Sequence, residues 1–353
     1  MNKSFIAFIH KEVLHILRDP RTMLIALLIP IVQMILFGFA ISVEVNNIDV
    51  MVAAPDISPR IEAKVSQMAH NPYVTFRGYI PTDEVDRVLS ANRALAVVVF
   101  DRDYDVDGRS QVVVDASNTT TAQTAAGYLT QILSDDGSAS LAPGITILYN
   151  PQLISSYNIV PGIMGLIFIL ICAMLTSVSI VREKESGTME VLLVSPIRPV
   201  MIVIAKMIPY FALTCIDLGL ILVIAKFALG VPLSGSMLAL LVISFIYILL
   251  SLALGLLVST LVDSQMAALL ISGMVFMMPV IMLSGMMFPI ENMPVVLQWV
   301  SDIVPARWYI PAMRKIMIEG LGFEYVVTEL SVLSVLAVAL TFISVKRFKN
   351  RLQ

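Results

Sequence analysis

The residues able to do chemistry are few, because 58% of the 353-residue chain is hydrophobic and only 14% is charged. Three ionisable side chains fall inside long apolar runs: Lys206, Asp217 and Glu329. A charge in hydrocarbon is costly and persists where it binds, relays or pairs with something. Lys206 lies close enough to one end of its run to snorkel to the membrane edge, and Glu329 sits within a turn of the opposite edge. Asp217 is the deep one. It reads as a substrate contact, as the lining of a watery path, or as a carboxyl paired with a neighbouring backbone group or hydroxyl. Seven of the 21 methionines crowd into residues 266–287. Met274, Met277, Met278 and Met282 join Asp217 as a candidate substrate path, because thioethers repack around apolar ligands of different shape. Ordinary helix packing uses the same residues.

Other constellations are missing. Asp101, Asp103, Asp105 and Asp107 stand on alternate positions as calcium ligands do, but the sixth-position glycine and closing glutamate of an EF-hand are absent. They read as a solvated turn, and no metal site is assigned. No glycine is followed by lysine, so the chain has no P-loop and binds no ATP itself. Cys172 and Cys215 lie in apolar runs and offer no disulfide framework. The net charge of −3 gives no footprint for nucleic acid.

Crossing a hydrocarbon core of about 30 Å takes about 20 apolar residues. Six runs qualify: Thr22 to Val43, Ile159 to Val181, Val200 to Ala225, Met237 to Leu261, Gln265 to Met287 and Val326 to Val345. The first exceeds the 7 to 15 or so residues of a signal peptide's apolar region and reads as an uncleaved anchor. With the N-terminus inside, the inner pieces hold twelve Lys and Arg and the short outer pieces four, which places both termini in the cytoplasm. Residues 44–158 then lie outside. They carry 14 acidic and 7 basic residues and alternate strand-like with helix-like runs, from Ile48–Ala54 to Gly144–Tyr149, which argues a small α/β domain.

Residues 1–21 form an amphipathic helix at the membrane face, with Phe5, Ile6, Ile9, Val13, Ile16 and Leu17 on one side, broken by Pro20. Residues 288–325, with four prolines and with Trp299, Trp308 and Tyr309, read as short helices lying at or dipping into the outer leaflet. Residues 346–353 are a basic cytoplasmic tail. The expected fold is an α-helical polytopic membrane protein of six transmembrane helices, with an inserted α/β extracytoplasmic domain between spans one and two.

The loop between spans two and three reads REKESGTMEVLLVSPIRP over residues 182–199: a charged start, an amphipathic helix to about Val194, and a Ser195-Pro196 stop. Its apolar stripe flanked by carboxylates suits docking in a partner's groove or lying on the membrane. The run Glu183-Lys184-Glu185-x-Gly187-Thr188-x-Glu190-x-Leu192-x-x-Ser195-Pro196 resembles the loop signature of permease subunits of type-2 ABC transporters, the bacterial exporters often associated with drug efflux. Lys11-Glu12 with Leu17-Arg18-Asp19-Pro20-Arg21 is similar to that family's elbow helix. Val113-Val114-Asp115 through Ala122 resembles its long-loop branch, and Leu283-Ser284-Gly285 through Pro305-Ala306-Arg307-Trp308 the segment before its last span.

The resemblance implies two permease chains, identical or sister, joined to two separate ATP-binding cassette subunits that hold the ATP and Mg. It implies that residues 182–196, with Arg182 at their head, form a coupling helix seated with Lys11, Glu12, Arg18 and Asp19 against those subunits. It implies outward transport across the bacterial inner membrane of a hydrophobic or amphipathic, drug-like substrate, with a periplasmic adaptor in two-membrane bacteria. A non-transporting envelope scaffold and an ion-coupled secondary transporter are the rival readings; scarce intramembrane charge argues against the second. On the favoured reading, Glu190→Ala abolishes substrate-stimulated ATPase and leaves membrane insertion intact; unchanged stimulation would remove the coupling assignment.

Overall fold

The computed structural model describes residues 2–40, 48–71, 73–91, 93–115, 119–134, 155–188 and 199–351. They form two compact units, Met1–Ile41 with Ser155–Gln353, and Ser42–Ile154.

The smaller unit is a four-stranded sheet in the order β2-β1-β3-β4, from β1 (Ile48–Ala53), β2 (Val74–Ile80), β3 (Ala96–Phe100) and β4 (Ser110–Val114). β1 runs parallel to β2 and β3, while β4 is antiparallel to β3. Alternation divides β1 between two cores, as the period of a strand requires. Ile48, Val50 and Val52 pack against Ile61, Val65 and Met68 of the helix Pro59–Ala69 and against Leu129 of the helix Thr119–Ser134. Met51 and Ala53 face Val85 and Val88 of the short helix Val85–Ser90 on the other side. The acidic run is a turn whose Asp101, Asp103 and Asp105 are exposed, with one helical turn, Tyr104–Asp107, closed by Gly108 at φ +68°. Asp105 accepts a hydrogen bond from Ser58 Oγ at 2.7 Å, and no metal-holding group exists among the described residues. The run Gly144–Tyr149 lies outside the described residues.

In the larger unit five helices are each long and apolar enough to cross a membrane. The elbow helix (Asn2–Arg18) and the first span (Pro20–Ala40) meet at a bend of 65° and give a sixth candidate span when the pair is counted as one. Span two is Ser155–Glu185, span three Pro199–Phe227, span four Met237–Leu261, span five Gln265–Leu283 and span six Val327–Arg351. Two of these differ usefully from expectation. Span two continues four residues past Val181, and its 31 residues rise about 46 Å, well beyond a hydrocarbon core. Span five stops at Leu283, because Ser284 and Gly285, at φ +77°, turn the chain.

Span two is the hub of the bundle, with consecutive residues Ile167, Phe168 and Ile169 all buried, so that more than one of its faces is covered. Span four crosses it at Gly255, where a Cβ would stand 2.6 Å from the carbonyl oxygen of Ala173 and 2.8 Å from Thr176 Cβ. Small residues of this kind let helices approach closely in lipid. Ser177 of span two and Ser272 of span five share a 3.0 Å hydrogen bond.

The segment 288–325 corrects the interfacial expectation in part. Val295–Asp302 keeps Trp299 exposed, but the helix Ala306–Met317 is inserted in the bundle, with Tyr309, Ile310, Met313, Ile316 and Met317 buried. Tyr309 stacks on Tyr247 of span four with centroids 4.1 Å apart and shares a 3.1 Å hydrogen bond with Ser244. Tyr247 donates to the Gly165 carbonyl at 2.8 Å. Gly165 leaves room for this plug, since a Cβ there would be 3.2 Å from the Tyr309 ring. At its far end Lys315 donates to Glu329 at 2.6 Å and Arg314 Nη2 to the Gly285 carbonyl at 3.2 Å, while Arg314 Nε and Glu329 Oε2 are buried without a partner among the described residues.

Two glycines in spans test this packing by opposite signs. By intrinsic propensity either Gly→Ala change favours the helix by about 0.5–1 kcal/mol. Gly219→Ala, with open space around it, is expected to raise the thermal midpoint in detergent, whereas Gly255→Ala is expected to lower it, by about 1–3 kcal/mol of overpacking. Equal effects from both would contradict the close crossing of spans two and four.

Candidate functional site

Four consecutive charged residues close span two and between them tie it to the elbow bend, span three, the end of span four and the start of span five. Arg182 donates through Nη1 to Asp19 at 3.1 Å, in the bend after the elbow helix, and through Nε to Gln265 Oε1 at 3.2 Å. Glu183 accepts from Lys206 of span three at 3.0 Å and from Lys11 of the elbow helix at 3.3 Å. Lys184 donates to the Ser259 carbonyl and, at 3.3 Å, to that of Val262, the unsatisfied end of span four. Glu185 accepts the Gln265 backbone N–H at 2.8 Å and also its side-chain amide.

The last two residues form a clamp with an electrostatic logic. A helix C-terminus exposes carbonyls and favours a cation, while an N-terminus exposes N–H groups and favours an anion. Lys184 and Glu185 meet those two needs on either side of the tight connection between spans four and five. Ser264 caps span five from the same connection, its Oγ accepting from the Ala267 N–H at 3.2 Å.

Lys206 corrects the sequence reading most. It does not snorkel. It is 3% exposed and lies between Glu12 Oε2, at 3.2 Å, and Glu183 Oε1. Glu12 is 1% exposed and also takes Lys11 at 3.0 Å. Burial works to raise the Glu12 carboxyl, but the Lys206 and Lys11 ammonium groups outweigh it and hold the group below the ordinary carboxylate range. Its partner on span three is 194 residues away, and neither hydropathy nor periodicity signals such a pairing. Arg18 is exposed on the last turn of the elbow helix.

The expected continuous helix from Glu183 to Val194 is broken. Span two ends at Glu185, the N–H groups of Ser186 and Gly187 close the turn on the carbonyls of Arg182 and Lys184, and Gly187 takes φ +69°. A residue with a side chain is strained in that conformation, so the glycine of the signature serves as a helix stop. Thr188 then bonds back to the Glu183 carbonyl at 3.3 Å. Glu190, Leu192, Ser195 and Pro196 lie outside the described residues.

The candidate substrate path separates into parts. Asp217 is 1% exposed, and both its oxygens are without a hydrogen-bond partner among the described residues. The nearby hydroxyl of Thr214 instead donates to the Tyr210 carbonyl at 2.9 Å and shares a 3.5 Å contact with Cys172 Sγ. Met274, Met278 and Met282 are exposed on span five, while Met277 lines a cavity of about 510 Å³ between spans one, two, three and five. That cavity reaches down to Arg182, Glu183 and Lys206 and also includes Gln33, a residue the sequence reading passed over; a lone amide in an apolar span was the available signal.

A bundle of apolar helices gathered by a charged turn at one end, with a small α/β unit inserted after the first span, defines a multi-span membrane permease. Residues 20–346 match the family model of ABC-2 family transporter proteins, and the chain belongs to that family. It is 31% identical over 97% of its length, and 95% of the relative's, to the "Probable multidrug ABC transporter permease YbhS" of Escherichia coli K12. It is also 31% identical to "Probable multidrug ABC transporter permease YbhR" of the same strain, over 90% of each chain. The match to "ABC transporter G family member 20" of Dictyostelium discoideum is 23% identical and covers 89% of this chain and 46% of that protein. Membership of this family implies an ATP-binding cassette partner.

Removing one member of a buried ion pair strands the others. Lys206→Met is expected to cost about 3–5 kcal/mol, seen as a lowered melting midpoint, and adding Glu12→Gln is expected to recover part of the loss. If the single variant melts like wild type, the buried ion cluster is not formed.

Proposed function

We propose that this chain is the transmembrane permease subunit of an ATP-driven exporter, moving a hydrophobic or amphipathic, drug-like compound outward across the bacterial inner membrane. ATP and Mg bind a separate cassette subunit. Two permease chains, identical or sister, complete the assembly, with both termini cytoplasmic and residues 44–158 on the opposite side, available to a periplasmic adaptor. The chain itself catalyses no reaction. The names of the Escherichia coli relatives support the substrate class.

The observation that carries the mechanism is the turn Arg182–Glu185. A push on the loop that begins at Ser186 reaches the elbow bend through Arg182, span three through Glu183 and Lys206, the end of span four through Lys184 and the start of span five through Glu185. Four helices therefore receive one displacement. The signature residues act on this reading as positioning residues inside the permease, and the loop beyond Gly187 supplies the surface that meets the cassette.

The test is purification of the tagged chain from its host, followed by reconstitution. One P-loop ATPase per permease chain and ATP-dependent dye uptake into inside-out vesicles are expected. Lys184→Ala is expected to retain the ATPase and lose most of the uptake. A chain that brings no ATPase after cross-linking, or uptake that follows an ion gradient without ATP, would overturn the proposal.

A further inference from the structure

The cavity between spans one, two, three and five has a chemistry that its own walls do not complete. Its length follows from span two, on which Ile171 and Glu183 both line it, twelve residues or about 18 Å apart. Its walls are apolar, with Ile25, Ile29, Leu170, Met174 and Leu269 among them, and its volume of about 510 Å³ is that of a drug-sized ligand. Its floor is charged: Arg182 is engaged by Asp19 and Gln265 and Lys206 by Glu12 and Glu183, and the imidazole of His15 lines the same end. The open capacity belongs to an acceptor. Glu183 gives Oε1 to both lysines, while its Oε2 is buried without a partner, and near the other end Gln33 Oε1 is buried without one too. A carboxylate oxygen only accepts, so what is missing is a donor, and leaving such a group unpaired costs more than an ordinary hydrogen bond contributes. Water alone fills a long apolar cavity poorly.

We propose that this cavity binds an amphipathic primary amine in its protonated form, with the ammonium on Glu183 Oε2, the apolar body along spans one, two and five, and a second donor group, where present, on Gln33. An anionic head would meet, beside the imidazole of His15, two cations already paired and a carboxylate oxygen without a partner. A quaternary ammonium carries the charge without N–H donors. The same chemistry occurs in a free lipophilic amine and in the aminophospholipid of a bilayer. Only the description of the occupant as cargo rests on the export reading.

The test uses the chain with its copurified partners in nanodiscs of phosphatidylcholine, and dodecylamine bearing a diazirine as photoprobe, with labelled residues mapped by mass spectrometry. Label is expected on residues 25–33 and 170–178, competed by dodecylamine and not by dodecanol, dodecanoate or dodecyltrimethylammonium. Phosphatidylethanolamine in the disc competes if the bilayer is the source and does not if free amines are. Gln33→Leu leaves the ion cluster untouched and is expected to cut labelling by a primary amine probe that also bears a hydroxyl, and so offers a second donor, about threefold to tenfold. Equal competition by dodecanol or the quaternary ammonium, or label confined to lipid-facing residues in wild type, would overturn the inference. The measurement needs neither ATP nor flux, so its failure leaves the export reading standing, and the loss of that reading leaves the binding result intact.

Discussion

A lysine that is almost wholly buried in a membrane bundle must be held by carboxylates, and those that hold Lys206 come from two other elements. Taking an ammonium out of water costs several kcal/mol, recovered only when the geometry is good and the remaining donors are satisfied. Glu12 and Glu183 satisfy it, and in doing so they fix the elbow helix and the end of span two against span three. The other charges of the same turn follow from that placement. Once Glu183 faces inward, Lys184 and Glu185 are carried round the helix by about 100° each, onto the ends of spans four and five, and Arg182 onto the elbow bend.

The rest of the bundle keeps this turn stiff. On the faces away from the cavity, span two is crossed closely by span four at Gly255, hydrogen-bonded to span five through Ser177 and Ser272, and plugged at its far half by Tyr309. Interiors packed this closely transmit a displacement and do not absorb it. A helix of this kind is suited to carry motion between a loop at one end and a cavity between spans, which is what a permease driven by a separate ATPase requires.

Much of this was legible beforehand. Hydropathy located the spans, since lipid demands long apolar runs, and alternation outlined β1 to β3 and the helix Pro59–Ala69. What stayed hidden depends on contacts distant in sequence. A helix with Arg314, Lys315, Trp308 and Tyr309 has the composition of an interfacial piece, and only Gly165, Ser244 and Tyr247 on other helices make it a plug. Lys206 looked able to snorkel because its nearness to a helix end was visible and Glu12 was not. A motif such as the signature around Glu183 carries no information about which way side chains face; Glu183, Lys184 and Glu185 bond to other helices of the same chain, and Gly187 ends the helix that the apolar stripe would extend.

On the proposed mechanism the turn Arg182–Glu185 makes the elbow helix and the start of span five move as one body. Spin labels at Ile6 and Met266, both exposed, report on it directly in the assembled transporter by double electron–electron resonance. A narrow distance distribution is expected, its centre unchanged when ATP binds, and it is expected to broaden when Arg182 is replaced by Ala. A distance that shifts by several ångströms on ATP binding in the wild-type chain would show the two elements moving independently and would contradict the account.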